Sequence, residues 1–194
     1  MTIPNKLTTA RLVMSPLFFI AFNLRKDAPD LSTVLCLVLF IAIELTDLLD
    51  GKIARKYHLV TDLGKVMDPF ADTFAHLTYF VCFMMCGIMP SWVFIIVMYR
   101  EFSILFIRML MISQGKVMPA NKYGKAKTVT YAASGVLGIL YLAFVRWMPD
   151  AVWLKGYFTM LSVVFVLCAA ASLFSFLVYI SIIRKNGSLS KMTR

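Results

Sequence analysis

Asp47-Leu48-Leu49-Asp50-Gly51-Lys52-Ile53-Ala54-Arg55, eight further residues, and Gly64-Lys65-Val66-Met67-Asp68-Pro69-Phe70-Ala71-Asp72 form the stretch on which the fold and chemistry of this chain turn. Its four carboxylates stand at the ends of long apolar runs. An ionised Asp within a bilayer costs about 3 kcal/mol even on the mild insertion scale, so four cost about 10 kcal/mol unless a cation or a water-filled cavity compensates. On helices, Asp47 and Asp50 are spaced i, i+3 and Asp68 and Asp72 i, i+4, so each pair projects from one face. Two such faces brought together make an all-oxygen site. Hard oxygen ligands that leave room for water and phosphate suit Mg²⁺ or Mn²⁺ rather than zinc. The plainer alternative is a pair of acidic helix ends meeting the solvated interface.

The rest of the chain is built for a bilayer. Of its 194 residues, 60% are hydrophobic and 15% charged, and its apolar runs reach the roughly 20 residues that a membrane helix needs. This excludes a soluble domain and predicts an all-α polytopic membrane protein with a single domain over 1–194. The net charge of +10 points to lipid headgroups and loop orientation, not to nucleic acid. Cys36, Cys82, Cys86 and Cys168 all fall inside apolar segments, where free cysteines pack as small hydrophobes.

Six transmembrane helices are predicted, over about 12–24, 31–56, 64–87, 92–113, 124–147 and 152–183, followed by a basic tail at 184–194. Ahead of the first, Asn5 or Thr8 can cap a short interfacial helix, with Lys6 and Arg11 at headgroup level. Pro69 falls in the first turns of the third helix, where a missing N–H is least harmful. The N-terminus, the second and fourth loops and the tail are basic and the fifth loop weakly so, whereas the charges of the first loop, Arg25, Lys26, Asp27 and Asp30, cancel and the third loop carries none. That alternation puts both termini and the Asp cluster on the cytoplasmic side of an integral membrane protein.

Arg100 and Arg108, eight residues apart on the fourth helix, share a face about two turns apart, with Lys125 and Lys127 opening the fifth. Arginines in so apolar a helix require an anion. Glu101 can pair with one of them, and the remaining positive charge fits a substrate phosphate.

The opening stretch resembles the signature of the CDP-alcohol phosphatidyltransferases, Asp-x-x-Asp-Gly-x-x-Ala-Arg followed after eight residues by Gly-x-x-x-Asp-x-x-x-Asp, with every fixed position filled. Arg100-Glu101-Phe102, Arg108, Gly124-Lys125-Ala126-Lys127-Thr128 and the N-terminal Pro-Asn-x-Leu-Thr-x-x-Arg are similar to the bacterial members that use glycerol 3-phosphate. The resemblance implies the fold of that family, a bacterial inner-membrane location and a homodimer. It implies metal ligation by Asp47, Asp50, Asp68 and Asp72, with Asp72 also the general base for the incoming alcohol. Gly51, Ala54, Arg55 and Gly64 would shape the nucleotide and donor site, and Arg100, Arg108, Lys125 and Lys127 would bind the acceptor phosphate. The implied reaction takes CDP-diacylglycerol and glycerol 3-phosphate to phosphatidylglycerophosphate and CMP.

Two departures bear on the acceptor. A Lys commonly follows the last Asp in those members, whereas Thr73 does here, and Ala75-His76 is also unusual. His76, at i+4 from Asp72, could hydrogen-bond it and tune the base, or bond elsewhere in the bundle. Glu44, one turn before Asp47, adds a fifth carboxylate as an outer group or as a partner for a Lys or Thr. Other acceptors (inositol phosphate, serine, choline, or diacylglycerol taking a CDP-linked headgroup) stay within the family. Membrane prenyltransferases also pair Asp motifs, though far apart in sequence. An ion transporter would place its carboxylates nearer mid-bilayer.

Overall fold

The computed structural model describes residues 2–57, 61–113 and 122–185, and among them every regular element is helical. The order is α1 (Ile3–Asn23), a 3₁₀ turn (Leu24–Lys26), α2 (Pro29–Lys56), α3 (Asp62–Met85), α4 (Ser91–Ser113), α5 (Lys122–Trp147) and α6 (Leu154–Lys185). The chain before α1, the fourth loop with Lys116 and the basic tail are only partly covered: residues 1, 114–121 and 186–194 lie outside the described residues.

The helix ends follow local chemistry. Pro4 and Pro29 sit in the first turns of α1 and α2, where an amide would have no helical partner. Thr61 caps α3, its Oγ1 accepting from the Gly64 amide at 3.0 Å. The helix stops where Gly87 takes φ +76° and its amide, with those of Ile88 and Met89, closes back onto the carbonyls of Met84 and Phe83. Pro90 follows and prevents continuation.

Two expectations need correction here. The N-terminal segment and first membrane helix are one continuous helix, and neither Asn5 nor Thr8 caps it, because both side chains are turned inward into the bundle. Pro69 is not in the first turns of α3. The helix begins at Asp62, so Pro69 interrupts its amide ladder in the middle of the polar site.

The bundle is arranged around α3. Tyr79 packs edge-on to Phe18 of α1 and tilted against Phe40 of α2, both at 4.9 Å between ring centroids. Phe80 meets Tyr131 of α5 at 5.5 Å and Phe83 meets Phe165 of α6 at 6.2 Å. All six rings besides Phe40 are at most 1% exposed, and each fully buried aromatic contributes about 2–3 kcal/mol of transfer free energy. The small residues of α5 make room for these rings. A Cβ on Gly138 would stand 2.5 Å from the Phe83 ring, and one on Gly135 3.1 Å from Phe40.

The outer surface is apolar, with Leu17, Ile20, Val34, Val38, Ile41 and Leu45 all exposed, as lipid-facing residues are. Trp92, Trp147, Trp153 and Tyr57, near helix ends, are also exposed, as aromatic anchors at a membrane interface are. Four stretches are long and apolar enough to cross a membrane: Ile3–Lys26, Pro29–Ala54, Lys127–Trp147 and Leu154–Ser181. The two helices outside that set, α3 and α4, carry Asp68, Asp72 and His76 and Arg100, Glu101 and Arg108. Those polar and charged side chains, set in otherwise apolar helices, separate α3 and α4 from the other four.

Candidate active site

The four aspartates of the opening stretch converge, and the group at their centre is Arg11. Its guanidinium is 1% exposed and pairs with Asp47 Oδ1 at 2.8 Å and, more closely still, with Asp50 and Asp72. Thr8, one turn earlier on α1, donates to Asp68 Oδ1 at 2.8 Å, with Asp50 Oδ2 3.3 Å away. One turn earlier again, Asn5 Nδ2 donates to Thr61 Oγ1 at 3.2 Å. Asn5, Thr8 and Arg11 thus form an i, i+3, i+6 stripe that docks α1 onto the ends of α2 and α3. Headgroup contact by Arg11 is therefore overturned: an unpaired guanidinium and a cluster of carboxylates are each costly alone, and burying them together offsets both.

The cluster opens on one side. Asp50 is nearly sealed, its side chain 6% exposed, whereas those of Asp47 and Asp72 are 48% and 43% exposed. Gly64 is needed at its place, since a Cβ there would meet Asn5 Oδ1 and Thr61 Oγ1 at 3.1 Å each and stand 4.0 Å from Asp68 Oδ2. The close approach it permits is that of the N-terminal stripe. Gly51 and Ala54 follow Asp50 on α2. The side chains of Arg55 and Lys125 lie outside the described residues, although their backbones belong to α2 and α5. Glu44 forms no ion pair among the described residues.

As donors, these carboxylates are hard oxygens already gathered around a shared cation, which is what a divalent ion requires in chemistry. Among the described residues no three side chains stand at ligating distance from one point, because the guanidinium spaces them apart. The donor set fits a hard divalent ion in chemical kind.

Next to the cluster, Asp72, Thr73, His76, Arg100, Arg108 and Lys127 line a cavity of about 310 Å³, walled also by Tyr131 and by Tyr179 of α6. Glu101 is its internal anchor. Its Oε1 takes Arg100 Nη1 at 2.8 Å, Lys127 Nζ at 3.0 Å and the Tyr131 hydroxyl at 2.9 Å, while Thr73 donates to Oε2 at 3.3 Å. Arg100 also donates to Ser175 at 2.9 Å, and Ser172 lies 2.6 Å from the Tyr131 hydroxyl. Glu101 therefore holds two cations, not one, and Arg108 on the same cavity has no carboxylate partner among the described residues. Two acids, Asp72 and Glu101, line the cavity with three cations, and Asp72 is already paired with Arg11, so net positive charge faces the open space.

His76 does not reach the Asp72 carboxylate. Its Nδ1 lies 2.7 Å from the Asp72 backbone carbonyl, and its ring is fixed edge-on to Tyr131 at 5.7 Å and Tyr79 at 6.3 Å. The residues that sequence reasoning missed are Thr8 and Arg11 as partners of the aspartates, Thr61 as a cap, and Ser172, Ser175 and Tyr179 of α6. The α1 stripe was readable in retrospect from its turn-by-turn spacing. Nothing local distinguishes the three α6 residues from any other polar group on an apolar helix.

Comparison with known proteins identifies the family. The family model for CDP-alcohol phosphatidyltransferase matches residues 1–168, which include all four aspartates and every cavity cation named above. A CDP-diacylglycerol–glycerol-3-phosphate 3-phosphatidyltransferase from Treponema pallidum is 36% identical over 149 residues, 75% of this chain and 69% of that one. One from Bacillus subtilis is 29% identical over 174 residues, covering 82% of this chain and 90% of the other. Similarity at this level and coverage, on a chain whose aspartates gather beside a cationic cavity, makes the conclusion direct: the chain belongs to the CDP-alcohol phosphatidyltransferase family.

Proposed function

We propose that this enzyme transfers the phosphatidyl group of CDP-diacylglycerol to glycerol 3-phosphate, giving phosphatidylglycerophosphate and CMP. The observation that carries the reading is the adjacency of the two charge centres: Asp72 belongs both to the carboxylate cluster and to the wall of the cationic cavity. A donor pyrophosphate neutralised at the first centre and an acceptor phosphate held at the second would meet across this one side chain. The names of the relatives support the same pair of substrates.

Asp47, Asp50, Asp68 and Asp72 would hold the divalent cation, Mg²⁺ or Mn²⁺, which when bound supplies charge neutralisation of the donor phosphates. Arg55, at the end of α2, would pair with a donor phosphate, and Gly51 and Ala54 would admit the nucleotide. Asp72 accepts the proton of the acceptor hydroxyl. The oxygen so exposed forms its bond to the β-phosphorus, the bond to the bridging oxygen breaks, and CMP leaves with that electron pair. Arg108 and Lys127, with Arg100 braced behind them and Lys125 nearby in sequence, hold the acceptor phosphate, because a neutral or cationic alcohol would leave those charges unmatched. An apolar cavity of about 400 Å³ between α3 and α4, lined by Met67, Phe70, Phe102 and Phe106 and sharing Leu105 with the cationic one, supports a donor whose acyl chains lie beside its headgroup.

In this reading all six helices cross the inner membrane of a bacterium, the site faces the cytoplasm as the Lys and Arg distribution predicts, and the enzyme works as a homodimer. The test is CMP release by purified protein from CDP-diacylglycerol with Mg²⁺ or Mn²⁺ and a panel of alcohols. Release with glycerol 3-phosphate that Asp72→Asn abolishes is expected. Release only with inositol phosphate, serine, choline or another acceptor moves the assignment within the family, and none with any acceptor refutes it.

A further inference from the structure

We infer that His76 is the group that selects a vicinal diol: its Nε2 accepts a hydrogen bond from the acceptor hydroxyl adjacent to the one that reacts. The inference rests on the proposed reaction and adds a specificity residue to it. A carbonyl oxygen can only accept, so the 2.7 Å contact between His76 Nδ1 and the Asp72 carbonyl places the ring proton on Nδ1. In the neutral ring Nε2 is then a pure acceptor. It has no partner among the described residues, and His76 lines the cavity.

The rest of the wall explains why that acceptor matters. Arg100, Arg108 and Lys127 only donate. Glu101 is occupied by Arg100, Lys127, Tyr131 and Thr73, and the Thr73 hydroxyl is used on Glu101. Asp72 is reserved for the reacting hydroxyl. The hydroxyls of Thr128 and Tyr179 also line the cavity but donate as well as accept; Nε2 of the neutral ring can only accept, and it lies one turn beyond Asp72 on the same face of α3, where side chains stand about 5–6 Å apart. Glycerol 3-phosphate stretched from Asp72 to the phosphate-binding cations carries its middle hydroxyl past that point. The ring cannot swing aside, being wedged against Tyr79, Phe80 and Tyr131. A site that hydrogen-bonds a substrate hydroxyl discriminates strongly against the analogue lacking it.

The experiment compares kcat/KM for glycerol 3-phosphate and for 3-hydroxypropyl phosphate, which lacks only the middle hydroxyl, in the full-length protein and in His76→Phe and His76→Gln. The wild type is expected to favour glycerol 3-phosphate about tenfold or more. In His76→Phe that ratio falls to near one, and in His76→Gln, whose amide oxygen can still accept, it is partly kept. A purely structural role lowers both substrates by the same factor and leaves the ratio unchanged, which overturns the inference, as does a wild type indifferent to the two acceptors. If the Phe variant does not fold, the wild-type and Gln ratios decide. A wild type that uses neither phosphorylated acceptor refutes the proposed reaction itself, an outcome distinct from loss of selectivity.

Discussion

Arg11 offers the sharpest test of how this site is held together. Arg11→Met keeps an unbranched apolar stem and removes only the charge that Asp47, Asp50 and Asp72 share. Removing one partner of a fully buried ion pair costs about 3–5 kcal/mol. Here only Asp50 meets that condition; Asp47 and Asp72 are roughly half exposed, and water screens much of what they lose. A net loss of about 3 kcal/mol without metal follows, which for a chain of this size lowers the unfolding midpoint by about 6–12 °C. The assay is thermal unfolding of the purified protein in detergent, first with chelator and then with Mg²⁺ or Mn²⁺. If these carboxylates hold the divalent ion as proposed, it replaces the missing positive charge, and the metal should raise the midpoint of the variant more than that of the wild type. Equal midpoints in chelator, or equal metal stabilisation of both proteins, would refute the account of Arg11 as the counter-ion of the cluster.

Two further expectations concern other parts of the bundle. Gly138→Ala drives a methyl to 2.5 Å from the ring of Phe83, which is itself fully buried; overpacking of this kind costs about 1–3 kcal/mol, less the roughly 1 kcal/mol that Ala gains in helix propensity, so the unfolding midpoint should drop by a few degrees. Lys127→Met removes a cation from the cavity beside the aspartates while Arg100 still neutralises Glu101; on the proposed reaction, steady-state CMP release should show the KM for glycerol 3-phosphate up about tenfold, with the KM for CDP-diacylglycerol nearly unchanged.

Much of this protein is written in local pattern. The long apolar runs dictate helices for a bilayer, because no other open backbone arrangement satisfies its own hydrogen bonds in hydrocarbon. The spacing of Asp47 with Asp50 and of Asp68 with Asp72 places each pair on one face, and helix periodicity alone makes that certain once the helices form. The same holds for Arg100 and Arg108, whose eight-residue separation returns them to one side of α4 and to one cavity.

What surrounds those faces depends on contacts between residues far apart in the chain. Seen alone, Arg11 is a basic residue near the N-terminus of a membrane protein, and such a residue belongs among headgroups. Only the docking of α1 against α2 and α3 brings it within reach of carboxylates 36 to 61 residues away. For His76 the sequence leaves open the Asp72 carboxylate or a partner elsewhere in the bundle, and the i, i+4 geometry delivers its ring to the Asp72 backbone carbonyl. Glu101 and the α6 residues Ser172, Ser175 and Tyr179 acquire their roles by packing across the bundle. Periodicity along one helix determines which residues share a face. Which faces meet, and so which charges neutralise one another, is determined by how the aromatic rings of α3 seat against their neighbours, and that information is spread over the whole chain.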